Sequence, residues 1–455
     1  MNFKFSRLMA LSAVAAIVTV GFQSCSSEEE NLDPVSVKTR AVVTIPANTV
    51  ISSNTTWSSA NEYLLQGKVW VSGATLTIQA GTLIRGAFNS NPVNASALVI
   101  TRTGRIEAEG TATNPIVMTA EANHQEKGGW GGLVILGNAQ INQSPNQQIE
   151  GISTGVVPTG VNATYGTNNA GNNDEDSGTL RYVRVEYAGA SIAEANELNA
   201  FTFGGVGSGT VVDHCQAYYG ADDAFEFFGG RVNARYLVAT ACDDDAFDFD
   251  FGYQGKIQYG IVTIDGSENY SSDPNGIECD NDGSGSSNTP FTHPVLSNLT
   301  IVGTIDGGIA GGGNPTGSLY NAARFRRNTQ YTLVNSIAYG YPTGIWNNTA
   351  QSSSSITIAN NVVASVTANR EYVGFSSTPP ATGNIASAVN SITLDSPWGN
   401  PYTTDALKPT GGAAIDGNYY THTDPFFDNT QYKGAIDKTG SSWLADAEFD
   451  GWVIN

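Results

Sequence analysis

The chain has 455 residues, of which 51 are Gly and 17 Pro, and only 14% of its side chains are charged. That balance excludes coiled coils and helical bundles and points to a long, loop-rich, all-β protein, while 40% hydrophobic residues supply ample core and exclude disorder for most of the length. Forty-two acidic against 21 basic residues give a net charge of −21, which repels phosphate backbones; no nucleic-acid partner is expected, and divalent cations or neutral ligands suit the chain better.

In chain order, the first feature is a leader. Lys4 and Arg7 precede an apolar run from Leu8 to Phe22, and Cys25 follows, with Ser26, Ser27, Glu28, Glu29 and Glu30 directly after it. The run is shorter than the roughly 20 apolar residues a membrane span needs. A cysteine closing such a run ahead of an acidic stretch resembles the lipobox and surface-export tag of Bacteroidota lipoproteins, with Phe22 where many lipoboxes carry Leu or Val. The resemblance implies a signal peptide over 1–24, lipidation at Cys25, a flexible linker over 25–44, and a single body over 45–455 anchored to the outer membrane and facing the cell exterior. The other cysteines, Cys215, Cys242 and Cys279, are odd in number and lack C-x-x-C spacing, so neither a disulfide framework nor a zinc site is expected.

The body repeats itself. Leu76, Ile78 and Ile84 recur 22 residues later as Leu98, Ile100 and Ile106, and Asp222-Asp223-Ala224-Phe225-Glu226-Phe227 recurs, again at 22, as Asp244-Asp245-Ala246-Phe247-Asp248-Phe249. A looser copy runs from Asn275 to Asp280. Apolar residues alternate in steps of two, as in Val183, Val185 and Tyr187, which is the period of a strand. Short strands at this repeat length, without helical segments, predict a right-handed parallel β-helix of about three strands per coil. Loops are expected to interrupt it at 140–178, 265–275, 282–292 and 374–412, with degenerate C-terminal coils and Trp443 to Asn455 capping the open end of the core.

The runs Leu76–Thr82, Ile106–Thr111, Gly129–Gly137 and Leu180–Gly189 resemble a family of Bacteroidota exported lipoproteins in the pectate-lyase-like β-helix superfamily. The similarity extends over roughly residues 65 to 350 and is specific as to fold. Many members of that family have no assigned function, and the superfamily hosts lyases, hydrolases, esterases, adhesins and binding modules, so it does not fix an activity.

Stacking equal repeats superimposes residues one period apart. Phe225, Phe247 and Ile277 then form one inward ladder, and Phe227, Phe249 and Cys279 a second. Between them Glu226, Asp248 and Glu278 fall into one outward file about 4.8 Å apart. Asp222 with Asp244 and Asp223 with Asp245 flank the file, and Asp250 and Asp280 extend it along the strand. Like charges at this spacing repel by roughly 1 to 4 kcal/mol per pair, so they need protons, a cation or turn amides. Calcium suits them, since it accepts six to eight oxygens in irregular geometry. The other reading is a corner network in which Asp side chains cap backbone amides. Asp174, Glu175 and Asp176 form a second acidic loop and a second metal candidate.

An enzyme is the less favoured reading. Two carboxylates about 5 Å apart suit a retaining glycosidase, and Glu226 with Asp248 is the candidate pair. The Gly-His-Gly and Arg-x-Lys segments of polygalacturonase-like β-helices are missing, the four histidines are scattered, and Arg231, Arg235 and Lys256 serve as countercharges to the acidic file. Tyr218, Tyr253, Tyr259 and Tyr270 are expected to form an exposed aromatic strip beside it. The sequence therefore suggests a calcium-stiffened surface module that binds a glycan or an outer-membrane protein in adhesion or nutrient uptake, with a carbohydrate-active enzyme as the alternative.

Overall fold

Alternating apolar runs punctuated by Gly, Asn and Asp make strands that pair in parallel with the equivalent strand one coil away, as in Leu133↔Phe201, Phe225↔Phe247 and Phe247↔Ile277. The computed structural model describes residues 40–454 apart from 194–195, 311–315, 388–393, 395–406, 440–442 and 445–450. Cys25, the leader and the linker up to residue 39 lie outside the described residues. Among those described, parallel ladders build one sheet of 17 strands and another of 11, with two small two-stranded ribbons beside them. This is a parallel β-helix. It begins earlier than residue 45: Ala41–Ile45 already pairs in parallel with Asn61–Leu65, because Val43 and Ile45 alternate onto the core.

The larger sheet bends at a corner. In the first coils its two faces are separate strands, such as Arg105–Glu109 and Ile116–Ala120, and both pair with the single long strand Gly178–Glu186. Successive long strands turn that corner through one residue at positive φ: Tyr182 (48°), His214 (52°), Tyr236 (57°), Tyr259 (67°) and Asn298 (56°). Left-handed backbone suits Asn and is unusual for aromatics, which the fold retains here by stacking them. Ring centroids lie 4.4 Å apart for Tyr182 and His214, 4.3 Å for His214 and Tyr236, and 4.9 Å for Tyr236 and Tyr259.

The smaller sheet carries the two inward ladders. Phe201, Phe225 and Phe247 stack at 4.9 and 5.5 Å, and Phe203, Phe227 and Phe249 at 5.0 and 5.2 Å, all essentially without exposure. Stacked rings contribute about 0.5–1.5 kcal/mol per pair beyond their burial, so this column also fixes register.

Among the described residues, those of the C-terminal segment do not cap the core. Trp452 and Trp443 lie edge-on against His214, Trp452 also against Tyr182, and Trp443 against Tyr236, which places them on the flank of the middle coils. Gln216 and Ile454 exchange two hydrogen bonds, and Arg184 donates to the carbonyls of Gly451 and Trp452. The cause is the outer face of the larger sheet, where Val238, Ile261, Val302, Ile337 and Tyr339 are apolar and need cover. The C-terminal segment from residue 407 onward, a strap across this face, also takes two of the basic residues assigned to the acidic file: Arg235 pairs with Asp428 at 2.9 Å and Lys256 with Asp424 at 2.5 Å, while Arg231 donates instead to Gln254.

Candidate functional site

Equal coil lengths bring the acidic residues into register. Thr202, Glu226, Asp248, Glu278 and Arg324 are successive partners on the outward side of the smaller sheet, and Phe228 and Asp250 are paired in the neighbouring file. The file does not lie open to solvent. Ile141, Ile149, Ile152, Ala163 and Tyr165, from the insertion between the strands Gly132–Leu136 and Gly178–Glu186, form a second apolar cluster with Val99, Val134 and Phe228 over the same outward face. Glu226 is 6% exposed, Glu278 9%, Asp223 6% and Asp245 5%.

Two sets of three carboxylates converge: Asp222, Asp223 and Asp244, and Asp223, Glu226 and Asp248, each offering oxygens within 4.8 Å of one another. At an effective dielectric of about 20 a pair of charges at that distance repels by about 3.5 kcal/mol. Burial first, and then the neighbouring carboxylates, raise every acid of the two sets. Asp248 is pushed up to about 8 and Asp244 to about 6. Asp245 and Asp250 are likewise raised well above the usual carboxylate range by burial.

The acids divide into two kinds. Asp223 accepts a hydrogen bond from the amide of Asp245 at 2.9 Å, Asp245 from that of Asn275 at 2.8 Å, and Asn275 from that of Asn321 at 3.2 Å. This is a corner ladder, one side chain per coil, each using one oxygen. Asp244 accepts from the Ser271 hydroxyl and Asp250 from the amide of Phe251. Glu226 and Asp248 point away from the corner. Glu226 accepts from Asn199 Nδ2, while Oδ1 of Asp248 is shielded from solvent with no hydrogen-bond partner.

Asn199 occupies the corner position of its own coil, two residues before Phe201, as Asp223 is two before Phe225. It leaves the ladder: its Oδ1 is buried without a partner, and its amide nitrogen turns to Glu226 and Thr202. Glu150 arrives from the covering insertion, hydrogen-bonds to Glu226, and is pushed up to about 7 by burial and by the charge of Glu197. At the other end the file is neutralised. Arg326 bonds both Glu278 and Asp280, Arg327 bonds Asp280 at 2.7 Å, and Arg324 lies 3.6 Å from Glu278. Glu278 and Asp280 are thus arginine partners, Arg326 also acts through space on Asp248 and Asp245, and the acids left without compensation are those of the Asp223 coil.

The second acidic loop does not converge. Asp174 is exposed, Glu175 accepts from the Gly207 amide and from Ser177, and Asp176 pairs with Arg105 at 2.6 Å. The aromatic strip is also dispersed. Tyr253 is in the core on Phe227 and Phe249, with its hydroxyl bonded to the Val232 carbonyl, because the left-handed Phe251 and Gly252 turn the chain inward. Tyr270 is buried against the Asp265 backbone, and Tyr259 lies under the strap, bonded to Asp428. Tyr218 alone of the four is partly open, beside Tyr187 and Tyr219.

The coil geometry and the acidic outward face meet a direct comparison: residues 49–397 match the family described as a pectate-lyase like beta helix domain. The chain belongs to that family. The match runs from the second strand of the body through the acidic coils, so the whole site lies within the pectate-lyase-like domain, and the strap from residue 407 onward lies beyond it. Neither the curated proteins nor the solved structures include a match to the chain. Membership is compatible with a role involving carbohydrate and does not itself specify binding, adhesion or catalysis.

Proposed function

We propose that this chain is a lipid-anchored binding module of the bacterial outer surface whose acidic coils take up Ca²⁺, and that it serves glycan or protein ligands in adhesion or nutrient uptake. The observation that carries the metal reading is the set Asp223, Glu226 and Asp248, three carboxylates within 4.8 Å beside two buried oxygens, Asp248 Oδ1 and Asn199 Oδ1, that lack partners. Oxygens on opposite sides of a calcium ion stand about 4.8 Å apart, twice the roughly 2.4 Å ligand distance, so this spacing suits one ion. Asp222 and Asp244 supply a neighbouring set through Asp223. When bound, the ion would neutralise the file and tie consecutive coils together.

The anchoring at Cys25, the outer-membrane location and the Bacteroidota affiliation rest on the leader pattern of residues 1–30. The decisive experiment is thermal melting of wild type and Asp248→Asn in calcium and in chelator. Wild type should melt higher in calcium and the variant should lose that difference; a wild-type melting temperature unmoved by chelator removes the metal and leaves the corner ladder as the explanation of the acids.

A second reading, a carbohydrate-active enzyme, is favoured by one observation: Glu226, raised well above the usual carboxylate range by burial and by the charge of Glu150, hydrogen-bonds to Glu150, the arrangement of a general acid beside a carboxylate. New reducing ends released from a polysaccharide panel, abolished by Glu150→Gln at unchanged melting temperature, would select it.

A further inference from the structure

Three tyrosines from two consecutive coils meet at the turn that follows the long strands Gly178–Glu186 and Val211–Tyr218. Tyr187 and Tyr218 pack edge to face at 5.7 Å, and Tyr218 and Tyr219 pack at 4.5 Å. All three are half-buried and line a cleft of about 670 Å³ together with Glu126, Lys127 and Glu268. The backbone at this turn makes the tyrosines notable. Tyr187 and Tyr219 have φ of 56° and 51°, and the equivalent residue of the next coil, at the same hydrogen-bonded position, is Ala241 with φ of 51°. Left-handed backbone costs a bulky residue about 1–3 kcal/mol, and Ala241 shows that the coil closes there without a ring. Tyr187 packs partly against the core and Tyr219 bonds Asp265, yet closing the turn itself requires no ring.

The chemistry of the cleft narrows its ligand. The rings pack against one another at centroid distances of 4.5, 5.7 and 6.4 Å rather than standing as walls around a gap, and their planes are inclined by 45°, 83° and 52°. A partly apolar sugar face would therefore stack on one ring at a time, which suits a sugar more than a compact organic cation. Lys127 is committed internally: its ammonium sits 3.1 Å from Asp243, donates to the Asn269 carbonyl at 2.8 Å and lies 4.3 Å over the Tyr270 ring. The Tyr219 hydroxyl is held by Asp265 at 2.6 Å, whereas those of Tyr187 and Tyr218 have no hydrogen-bond partner among the described residues. Glu126 and Glu268, with the amides of Gln125 and Asn269, supply acceptors and donors for sugar hydroxyls. With three carboxylates against one paired ammonium, on a chain of net charge −21, the cleft opposes a polyuronate.

From this geometry we infer that the cleft of Tyr187, Tyr218 and Tyr219 binds an uncharged glycan chain by ring stacking, beside the acidic coils, since Ala221 and Asp243 of its lining directly precede Asp222 and Asp244. The inference deepens the binding-module reading, and its failure is distinguishable because calcium dependence of melting is measured without sugar.

The test is calorimetric titration and saturation-transfer NMR of the exported chain with cello-, xylo-, manno- and maltohexaose, polygalacturonate and tetramethylammonium. At least one neutral hexasaccharide should bind, and Tyr218→Ala should weaken it about fivefold or more. Tyr187→Asn should weaken it similarly in protein that remains folded, since Asn suits left-handed backbone and offsets part of the packing lost with the ring. Phe375→Ala, in a different cleft, should leave affinity unchanged. Absence of binding by all four neutral sugars in stably folded protein, preference for polygalacturonate, displacement of the sugar by tetramethylammonium, or affinity lost through Phe375 and not through the tyrosines would each overturn the inference.

Discussion

If Asp223, Glu226 and Asp248 hold a cation, binding must be coupled to proton release, and the stoichiometry follows from the geometry. Three mutual repulsions of about 3.5 kcal/mol sum to about 10 kcal/mol, comparable to the whole stability of a domain, so the ion-free set cannot be fully ionised. Holding a proton at pH 7 on a carboxyl with a reference pKa near 4 costs about 4 kcal/mol. The first proton removes two repulsions and is clearly favoured; a second removes one more and roughly breaks even. Repulsion alone therefore keeps between about one and two protons on the ion-free set at pH 7, burial adds to that number, and calcium should expel them. The pKa of these acids is raised on folding, so the folded state binds more protons than the unfolded one above about pH 4, where unfolded carboxyls titrate. In chelator, stability should be greatest in acid and be lost as pH rises toward about 8, the value for Asp248; calcium should flatten that decline. Titration calorimetry in two buffers of different ionisation enthalpy counts the protons. Asp248→Asn, which deletes two of the three repulsions, should raise the melting temperature in chelator and lower calcium affinity. Calcium binding that releases no protons, or a chelator-treated protein that grows more stable between pH 5 and 8, would refute the reasoning.

Arg326→Ala should destabilise by about 3–5 kcal/mol in denaturant titration, because it leaves Glu278 and Asp280 buried with reduced compensation. Trp452→Ala, at a side chain without exposure against Tyr182 and His214, should cost about 3–5 kcal/mol by the same assay, whereas an end cap with no such contacts would cost far less. Cys215, Cys242 and Cys279 should be inert to a thiol reagent in the native protein and all react once it is unfolded, since burial shields them and pushes the Cys242 thiol up to about 12.

The parts of this architecture that can be read from the sequence are those where coil length is constant. The 22-residue spacing of the two Asp-Asp-Ala-Phe runs places Glu226 above Asp248 and Phe225 above Phe247, and the paired registers follow from that spacing alone. Asn199 belongs to the same pattern, as Asn199-Ala200-Phe201 parallels Asp223-Ala224-Phe225, and that signal could have identified it. Glu150 had no such signal, because it sits in an insertion whose landing place depends on where Ile141, Ile149 and Tyr165 find apolar cover. The same insertion turns an expected surface file into a buried one. Arg324 and Arg326 were hidden by the long connection after Cys279, which breaks the period before the next coil resumes in register. Tyr253 and Tyr270 fall in loops, and it is the direction of each turn, invisible to periodicity, that sends their rings inward.

A simple solenoid interacts only with its nearest neighbours, so its coils can fray from either end in sequence. The strap removes that freedom from the middle of this one. Its bonds reach back 268 residues from Trp452 to Arg184 and 238 from Ile454 to Gln216, while Asp428 and Thr430 engage Gln258 and Asn298 on later coils. Peeling any of these turns must first detach a segment that grips several others, which converts stepwise unzipping into a concerted event. Maturation carries the matching delay: the aromatic corner stays bare until Trp443 and Trp452 have emerged, long after the coils they cover, so this late-arriving segment acts as the lock that closes the assembled coils.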